Sequence, residues 1–102
     1  MAVIQLTKSN FAAEVLQSDK PVLIDFYADW CRPCKLMAPI ISELSEESTN
    51  YKVCKLNVSD VPELATQYNV NSIPTLVVLK EGKVVEQAVG TRSKDFIRDM
   101  LK

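Results

Sequence analysis

The segment PVLIDFYA, residues 21–28, is a nearly continuous apolar run that contains a single charged residue, Asp25. Strands covered on both faces have this composition, because neither face alternates with water. Segments 51–58 (YKVCKLNV) and 75–80 (TLVVLK) have the same character. Three such runs in a chain of 102 residues predict a central sheet with cover on both faces.

Helical periodicity appears in the segments between these runs. Residues 31–48 carry an apolar stripe that includes Pro39, which should kink the helix because proline lacks a backbone donor. The apolar members of the stripe are Leu36, Met37, Ile40, Ile41 and Leu44. A further helix near the start is marked by Phe11, Val15 and Leu16.

Two more helices are predicted by capping signals. Asp60 and Glu63 resemble a capping box for a short helix. Its apolar and aromatic members are Leu64, Ala65 and Tyr68. Ser93 is a predicted N-cap for the last helix. That helix should bury Phe96, Ile97, Met100 and Leu101.

Two strands complete the pattern. One is a short strand near residues 3–6, and the other is 83–89 (KVVEQAV), which follows the hairpin connection Glu81-Gly82. The turn type stays open, because Glu-Gly is less typical there than Asn-Gly or Asp-Gly. Alternating strands and helices that end in a hairpin predict an α/β fold with a mixed sheet, in one domain that spans residues 1–102.

Charge and composition exclude several functional classes. The net charge is -1 without a block of like charge, so the sequence gives no electrostatic reason to expect a nucleic acid or an anionic membrane as partner. No apolar run reaches the length of a membrane span, and the start lacks the pattern of a signal peptide. Three Cys and no His fit a reducing compartment, so we expect a soluble, cytoplasmic protein.

The segment DWCRPCK, residues 29–35, places two cysteines around the start of a predicted helix. A thiol at a helix N-terminus faces unpaired N–H groups and the positive end of the helix dipole, which favour the nucleophilic thiolate. This describes Cys31, whereas Cys34 lies one turn further in and should be more buried. Pro33 falls in the first turn, where its missing N–H costs little. We expect Cys31 to attack and Cys34 to resolve.

Other interpretations of the cysteine pair are weaker but stay open. A zinc site needs about four ligands, and this chain offers three Cys and no His, so we expect no metal unless two chains share one. A purely structural disulfide over so short a loop would restrain little of the unfolded chain. Redox chemistry without a separate cofactor is therefore the favoured interpretation.

The segment FYADWCRPCK resembles the active-site segment of the thioredoxin family, whose usual pattern is Trp-Cys-Gly-Pro-Cys-Lys. The resemblance continues in order through VLIDFYADWC, KLNV, SIPTLVVLKEGK and AVGTRSK, so it covers essentially the whole chain. It implies a central five-stranded mixed sheet flanked by four helices. It also implies a protein disulfide reductase that works by dithiol–disulfide exchange through Cys31 and Cys34.

The resemblance assigns roles to two charged residues behind the cysteines. Burial of Asp25 in an apolar strand should raise its pKa. The family keeps a buried acid there, so Asp25 is expected to accept the proton of Cys34 through water. Lys55 matches the buried lysine beside that acid, although by its sequence alone it could be a strand lysine that reaches solvent. Cys54, one residue earlier, should face the opposite side as a core residue.

The resemblance also implies a substrate surface. The Ile73-Pro74 bond is expected to be cis and to face the cysteines, and the Ile73 backbone should pair with an extended substrate. The residues expected to form an apolar platform around Cys31 are Trp30, Ile73, Pro74, Val89 and Gly90, with Val58 at the rim.

The chain departs from the family pattern at four positions. Arg32 replaces the usual Gly, and its permanent charge should attract a thiolate, lower the pKa of Cys31 and modestly raise the reduction potential. Alternatively, Arg32 points into solvent and selects acidic substrates. Tyr27 stands where some members have Trp, and Asn69 and Ser72 stand where many have Gly; Ser72 could narrow the substrate groove.

We therefore expect a monomeric protein disulfide reductase that acts on disulfide-containing proteins and is recycled by a separate thioredoxin reductase. One alternative is an oxidase or isomerase on the same fold, if Arg32 raises the potential far enough. A second alternative is a binding or scaffold subunit without turnover, against which Asp25 and the intact cysteine pair argue.

Overall fold

The computed structural model describes residues 2–102, which form one five-stranded sheet with helices around it. The strands are β1 (Ile4–Gln5), β2 (Val22–Tyr27), β3 (Lys52–Asn57), β4 (Thr75–Lys80) and β5 (Lys83–Val89). The helices are a π-helix (Ala12–Leu16), α1 (Arg32–Glu47), α2 (Pro62–Gln67) and α3 (Lys94–Met100). The predicted α/β fold with a mixed sheet and four helices is confirmed. None of the helices within residues 2–102 is long and apolar enough to cross a membrane.

The strand order is β1-β3-β2-β4-β5. β1, β3 and β2 run parallel, whereas β4 and β5 are antiparallel to their neighbours. β2 lies at the centre, and its residues 22–26 are all buried. The near-continuous apolar composition of 21–28 is explained by this position, since neighbours hydrogen-bond on both sides and helices cover both faces.

Alternate residues of the strands feed two separate cores. On one face, Ile24 and Phe26 of β2 pack with the π-helix and α2. On the other face, Leu23 packs with α1 and α3. Asp25 shares the side of Leu23, because successive strand residues alternate. The acid of the candidate site is therefore on the face that α1 covers.

Helix α1 runs through Pro39 and buries Met37, Ile41 and Leu44. The predicted burial of Leu36 is wrong, since its side chain is 66% exposed. Positions 37, 41 and 44 recur at helical spacing and define the buried face, whereas Leu36 is one step of about 100° away from it. The kink at Pro39 stays a prediction.

The shorter helices agree with the sequence in part. The first is a π-helix at the predicted place; it buries Val15, whereas Leu16 is exposed. α2 begins after Val61 without a side-chain cap, so the capping role of Asp60 is wrong. The backbone N–H of Asp60 instead donates to Asn57 O at 3.0 Å, within a turn that precedes the helix.

Helix α3 is capped as predicted, because the Phe96 N–H donates to Ser93 Oγ at 3.1 Å. The burial of Ile97, Met100 and Leu101 is also confirmed. Phe96 is wrong as a core residue, since it is 47% exposed and packs against the Arg92 guanidinium, whose carbon lies 5.4 Å from the ring centroid.

The hairpin between β4 and β5 turns at Glu81 and Gly82, which have φ values of 53° and 78°. Positive φ at both positions is the requirement of a type I′ turn, so the open turn type is resolved. Space is also tight at Gly82, because a Cβ atom would lie 3.3 Å from the Leu16 carbonyl oxygen.

Candidate active site

The two cysteines lie where the chain leaves β2 and enters α1. Cys31 is the N-cap residue of α1, and its Sγ accepts a hydrogen bond from the Cys34 N–H at 3.3 Å. Pro33 lies in the first turn, as the sequence predicts. Cys31 and Cys34 form a disulfide, with their Cα atoms 5.3 Å apart. In the dithiol form, this N–H and the helix N-terminus would stabilise a thiolate at Cys31.

The two sulfurs differ less in burial than in surroundings. Cys31 is 5% exposed and Cys34 is 3% exposed. Cys34 is thus the more buried residue, as predicted, but the observed difference is small. The Cys31 Sγ lies 3.9 Å from the carbonyl oxygen of Ile73, two residues before β4. Cys34 instead lines a cavity that also contains Asp25. The two sulfurs therefore have different neighbours on opposite sides of the disulfide.

Asp25 is buried, with 4% of its surface exposed. Burial raises the pKa of this carboxyl to about 7, and the nearby positive charge of Lys55 opposes that rise. Within residues 2–102, Asp25 Oδ1 has no hydrogen-bond partner. A buried carboxyl with this pKa can take up and release a proton near neutral pH.

The cavity behind the disulfide has a volume of about 380 Å³ and is lined by Asp25, Cys34 and Lys55. Its volume and its polar lining meet the conditions for holding water. The structure thus brings the predicted acid and the inner cysteine to the same space, which is what proton transfer through water requires.

Lys55 is the direct neighbour of Asp25 in the β2–β3 register. It is half-buried, and its Nζ lies 5.7 Å from the centroid of the Tyr27 ring. The Tyr27 hydroxyl donates to Gln5 Oε1 at 3.2 Å. The sequence predicted no role for Gln5 and none for Tyr27 beyond its place where some family members have Trp. The available signal was the two-residue spacing from Asp25 to Tyr27, which puts both on one face.

The surface beside Cys31 is apolar and open. Trp30 is 74% exposed, so it is not a core residue. Trp30 lines a groove of about 400 Å³ with Ile73 and Val58. Ser72 also lines this groove, at the position where the sequence suggested that it could narrow the groove. Val70 and Asn71 complete the lining, and the sequence did not indicate them.

The remaining predicted platform residues lie at the adjoining end of β4 and β5. The Ile73-Pro74 bond is cis, as the resemblance implied. Pro74 is buried, and its carbonyl oxygen accepts a hydrogen bond from the Gly90 N–H at 2.8 Å. Val89, paired with Thr75, is 52% exposed. These residues do not line the groove of Trp30.

Arg32 is exposed in the first turn of α1. It forms no ion pair with another residue in the part of the chain that the structure describes, so its guanidinium is available to a thiolate or to a substrate. Cys54 is fully buried in the core on the opposite face of the sheet. Burial raises the pKa of Cys54 to about 12, which makes this thiol unreactive.

No cluster of three or more His, Cys, Asp or Glu within residues 2–102 could hold a metal ion. The redox group of this site is the cysteine pair itself.

Comparisons with known proteins agree with this geometry. The family model for thioredoxin matches residues 2–102. A thioredoxin of Mycobacterium tuberculosis is 47% identical over 94 residues, which are 91% of this chain and 81% of that protein. Thioredoxin 1 of a Nostoc species is 42% identical over 102 residues, which are 99% of this chain and 95% of that protein.

A solved structure is similar as well. It is a mutant thioredoxin from Halobacterium salinarum, which superposes with a TM-score of 0.90 and 33% sequence identity. The superposition covers 98% of this chain and 88% of that chain.

Proposed function

This chain belongs to the thioredoxin family, and from that premise we propose how its residues divide the work of catalysis. The chain is a protein-disulfide oxidoreductase that acts by dithiol–disulfide exchange. Its redox group is the Cys31–Cys34 pair, so no separate cofactor takes part. The observation that carries the proposal is the position of Cys31 as N-cap of α1, with Cys34 and Asp25 lining the same cavity.

The first step is attack by Cys31. Its thiolate attacks one sulfur of a substrate disulfide, a bond forms between Cys31 Sγ and that sulfur, and the other substrate sulfur leaves as a thiolate. The Cys34 N–H and the α1 dipole support this assignment, because both stabilise negative charge on Cys31 Sγ.

The second step is resolution by Cys34. Cys34 gives its proton to Asp25 through water in the cavity, and its thiolate attacks Cys31 Sγ. The Cys31–Cys34 disulfide forms, and the substrate leaves as a thiolate that takes up a proton. The raised pKa of Asp25 supports this role, because a carboxyl with a pKa of about 7 is a stronger base than an exposed one. Lys55 supports the charged form of Asp25.

The substrate binds across the face beside Cys31. We assign the Ile73 backbone to strand-like pairing with an extended substrate segment, because its carbonyl oxygen lies 3.9 Å from Cys31 Sγ. Trp30 and Ile73 give the apolar contact, and Pro74, Val89 and Gly90 extend it. Arg32 adds the positive charge next to the attacking sulfur, and Pro33 lies in the first turn of α1.

Partners and location follow from the same chemistry. Each turnover leaves an oxidised pair, so a thioredoxin reductase must return two electrons; the substrates are disulfide-containing proteins. Three Cys and no His favour a reducing compartment, and we propose the cytoplasm. We propose that the chain acts as a monomer with one domain over residues 1–102. Nucleic acid and membrane play no part, as a net charge of -1 without charge blocks supports.

The proposal is tested by steady-state reduction of a peptide disulfide, with a chemical dithiol to recycle the protein. The wild-type chain should catalyse the reaction, and Cys31→Ser should abolish catalysis. Cys54→Ser is the matched control and should keep full activity, because Cys54 is buried on the other face of the sheet. Catalysis that survives the loss of both Cys31 and Cys34 would overturn their role as the redox group, and a wild-type chain without catalysis would favour a binding or scaffold role.

A further inference from the structure

Three polar side chains lie in one row across the parallel part of the sheet. Lys55 of β3 is in register with Gln5 of β1 on one side and with Asp25 of β2 on the other. Side chains at registered positions point to the same face of a sheet. Gln5, Lys55 and Asp25 therefore project together toward the face that α1 covers.

Tyr27 spans this row. It lies two residues after Asp25 in β2, so it shares the face of Asp25. Its ring centroid is 5.7 Å from Lys55 Nζ, and its hydroxyl donates to Gln5 Oε1 at 3.2 Å. The Tyr27 side chain thus extends from β2, contacts the lysine of β3 with its ring and hydrogen-bonds the glutamine of β1 with its hydroxyl. We call the Tyr27–Gln5 pair the clasp.

We propose that the clasp holds the Lys55 ammonium near Asp25 and so sets how readily Asp25 accepts the proton of Cys34. The inference deepens the proposed function and rests on the proton-accepting role given there to Asp25. Tyr27 and Gln5 are positioning residues in it, because they act through Lys55 and do not touch the reacting sulfurs.

The clasp matters because a lysine side chain is long and flexible. A half-buried lysine released from the Tyr27 ring turns toward solvent, where water screens its charge. Few other ionisable side chains line the cavity that contains Asp25. Lys55 comes from β3, Tyr27 from β2, and Cys34 and Glu46 from α1. Lys55 is the cation among them, so its displacement leaves the burial of Asp25 uncompensated.

The effect falls on the resolving step. In that step the Cys34 Sγ–Cys31 Sγ bond forms, the bond from Cys31 Sγ to the substrate sulfur breaks, and the electron pair leaves with the substrate thiolate. The proton of Cys34 goes to Asp25. Displacement of Lys55 raises the pKa of Asp25 above its value of about 7, so a larger fraction of Asp25 is already protonated at neutral pH and cannot accept that proton.

The test uses Tyr27→Phe and Gln5→Ala, each of which removes the same hydrogen bond and keeps the sheet intact. The pKa of Asp25 is measured in the reduced protein by carboxyl-carbon NMR titration. Each variant should raise this pKa by about half a unit, because without the hydrogen bond the aromatic ring is no longer held against Lys55, and a partly exposed cation–π contact supports a change of that size. The double variant should raise it no further. Tyr51→Phe is the matched control, because it removes a hydroxyl that donates to Leu44 O at 3.0 Å, away from Asp25.

A second background tests the route through Lys55. When Tyr27→Phe is added to Lys55→Met, the pKa of Asp25 should stay at the value that it has in Lys55→Met alone. An unchanged pKa in both single variants, additive shifts in the double variant, or a full shift in the Lys55→Met background would each overturn the clasp. The rate at which the mixed disulfide is resolved is measured separately. Shifted pKa values without slower resolution at neutral pH would overturn the role of Asp25 and leave the positioning of Lys55 standing.

Discussion

Asp25 and Lys55 are neighbours in the register of β2 and β3, yet Asp25 Oδ1 has no hydrogen-bond partner within residues 2–102. The lysine therefore acts on the carboxyl through its charge alone, and that attraction is smaller than the effect of burial. The result is a pKa of about 7, so Asp25 changes its charge near neutral pH. The same burial that equips Asp25 for proton transfer should make the folded protein sensitive to pH.

The first prediction concerns stability. The pKa of Asp25 is raised in the folded state, so its contribution to stability is present below the unfolded pKa, near 4, and is lost as pH rises through about 7. Asp25→Asn removes this loss. The full loss for a shift of about three pKa units is about 4 kcal/mol, and about 1.5 kcal/mol of it already falls below pH 5. The variant should therefore gain about 2.5 kcal/mol of stability relative to wild type between pH 5 and pH 8.

Urea unfolding of the oxidised proteins at the two pH values measures this difference. Effects of the amide that do not depend on pH cancel when the two values are subtracted. An Asp25→Asn difference that is the same at pH 5 and pH 8 would contradict the raised pKa.

The second prediction concerns the substrate surface. Trp30→Ala should raise KM for a peptide disulfide several-fold, because Trp30 lines the groove beside Cys31. Stability should change by less than about 0.5 kcal/mol, as is usual for an exposed side chain. Leu36→Ala is the control, since Leu36 is also largely exposed but does not line that groove. Equal KM values for the two variants would argue against substrate binding at Trp30.

The third prediction separates a true helix cap from an apparent one. Ser93→Ala should lower the free energy of unfolding by about 1 kcal/mol, because it removes the hydrogen bond from the Phe96 N–H. Asp60→Ala should change it by less than about 0.5 kcal/mol, because Asp60 caps no helix. Thermal and urea unfolding measure both, and a larger loss for Asp60→Ala than for Ser93→Ala would contradict the assigned caps.

The fourth prediction concerns Arg32. Its guanidinium favours the thiolate of the reduced pair, so Arg32→Gly should lower the reduction potential by roughly 20 mV at low salt. Equilibration with a dithiol buffer measures the potential. The difference between the two proteins should shrink in 1 M salt, where exposed charges are screened. A potential that does not change in Arg32→Gly would leave Arg32 as a residue for substrate choice. A wild-type value near that of oxidising folding catalysts would instead favour an oxidase or isomerase.

The sequence was most informative about the strands. β2 and β4 were recognised because burial on both faces dictates an apolar composition, and composition is visible without a structure. Side-chain burial on helices was less certain. Leu36 and Phe96 are apolar but exposed, because the side that a helix buries depends on its packing partner and not on its residues alone.

In the candidate site as well, local features were predictable from the sequence, whereas contacts between distant residues were not. The cysteine pair and the start of α1 are local features, so seven residues sufficed to indicate them. The contact from Tyr27 to Gln5 joins residues 22 positions apart. It depends on β1 pairing with β3 and on β3 pairing with β2, and no local pattern specifies that register. Asp60 failed as a cap for a related reason, because the turn after Asn57 puts the N-cap position at Val61 and the helix start at Pro62.

The division of labour between the two cysteines is tested most directly by trapping. Cys34→Ser and Cys31→Ser are each mixed with an excess of a peptide disulfide, and the mass of the protein is measured. We predict a stable mixed disulfide at Cys31 in Cys34→Ser, which a dithiol releases, and little adduct at Cys34 in Cys31→Ser. A stable adduct that forms mainly in Cys31→Ser would contradict the account, because it would make Cys34 the attacking residue.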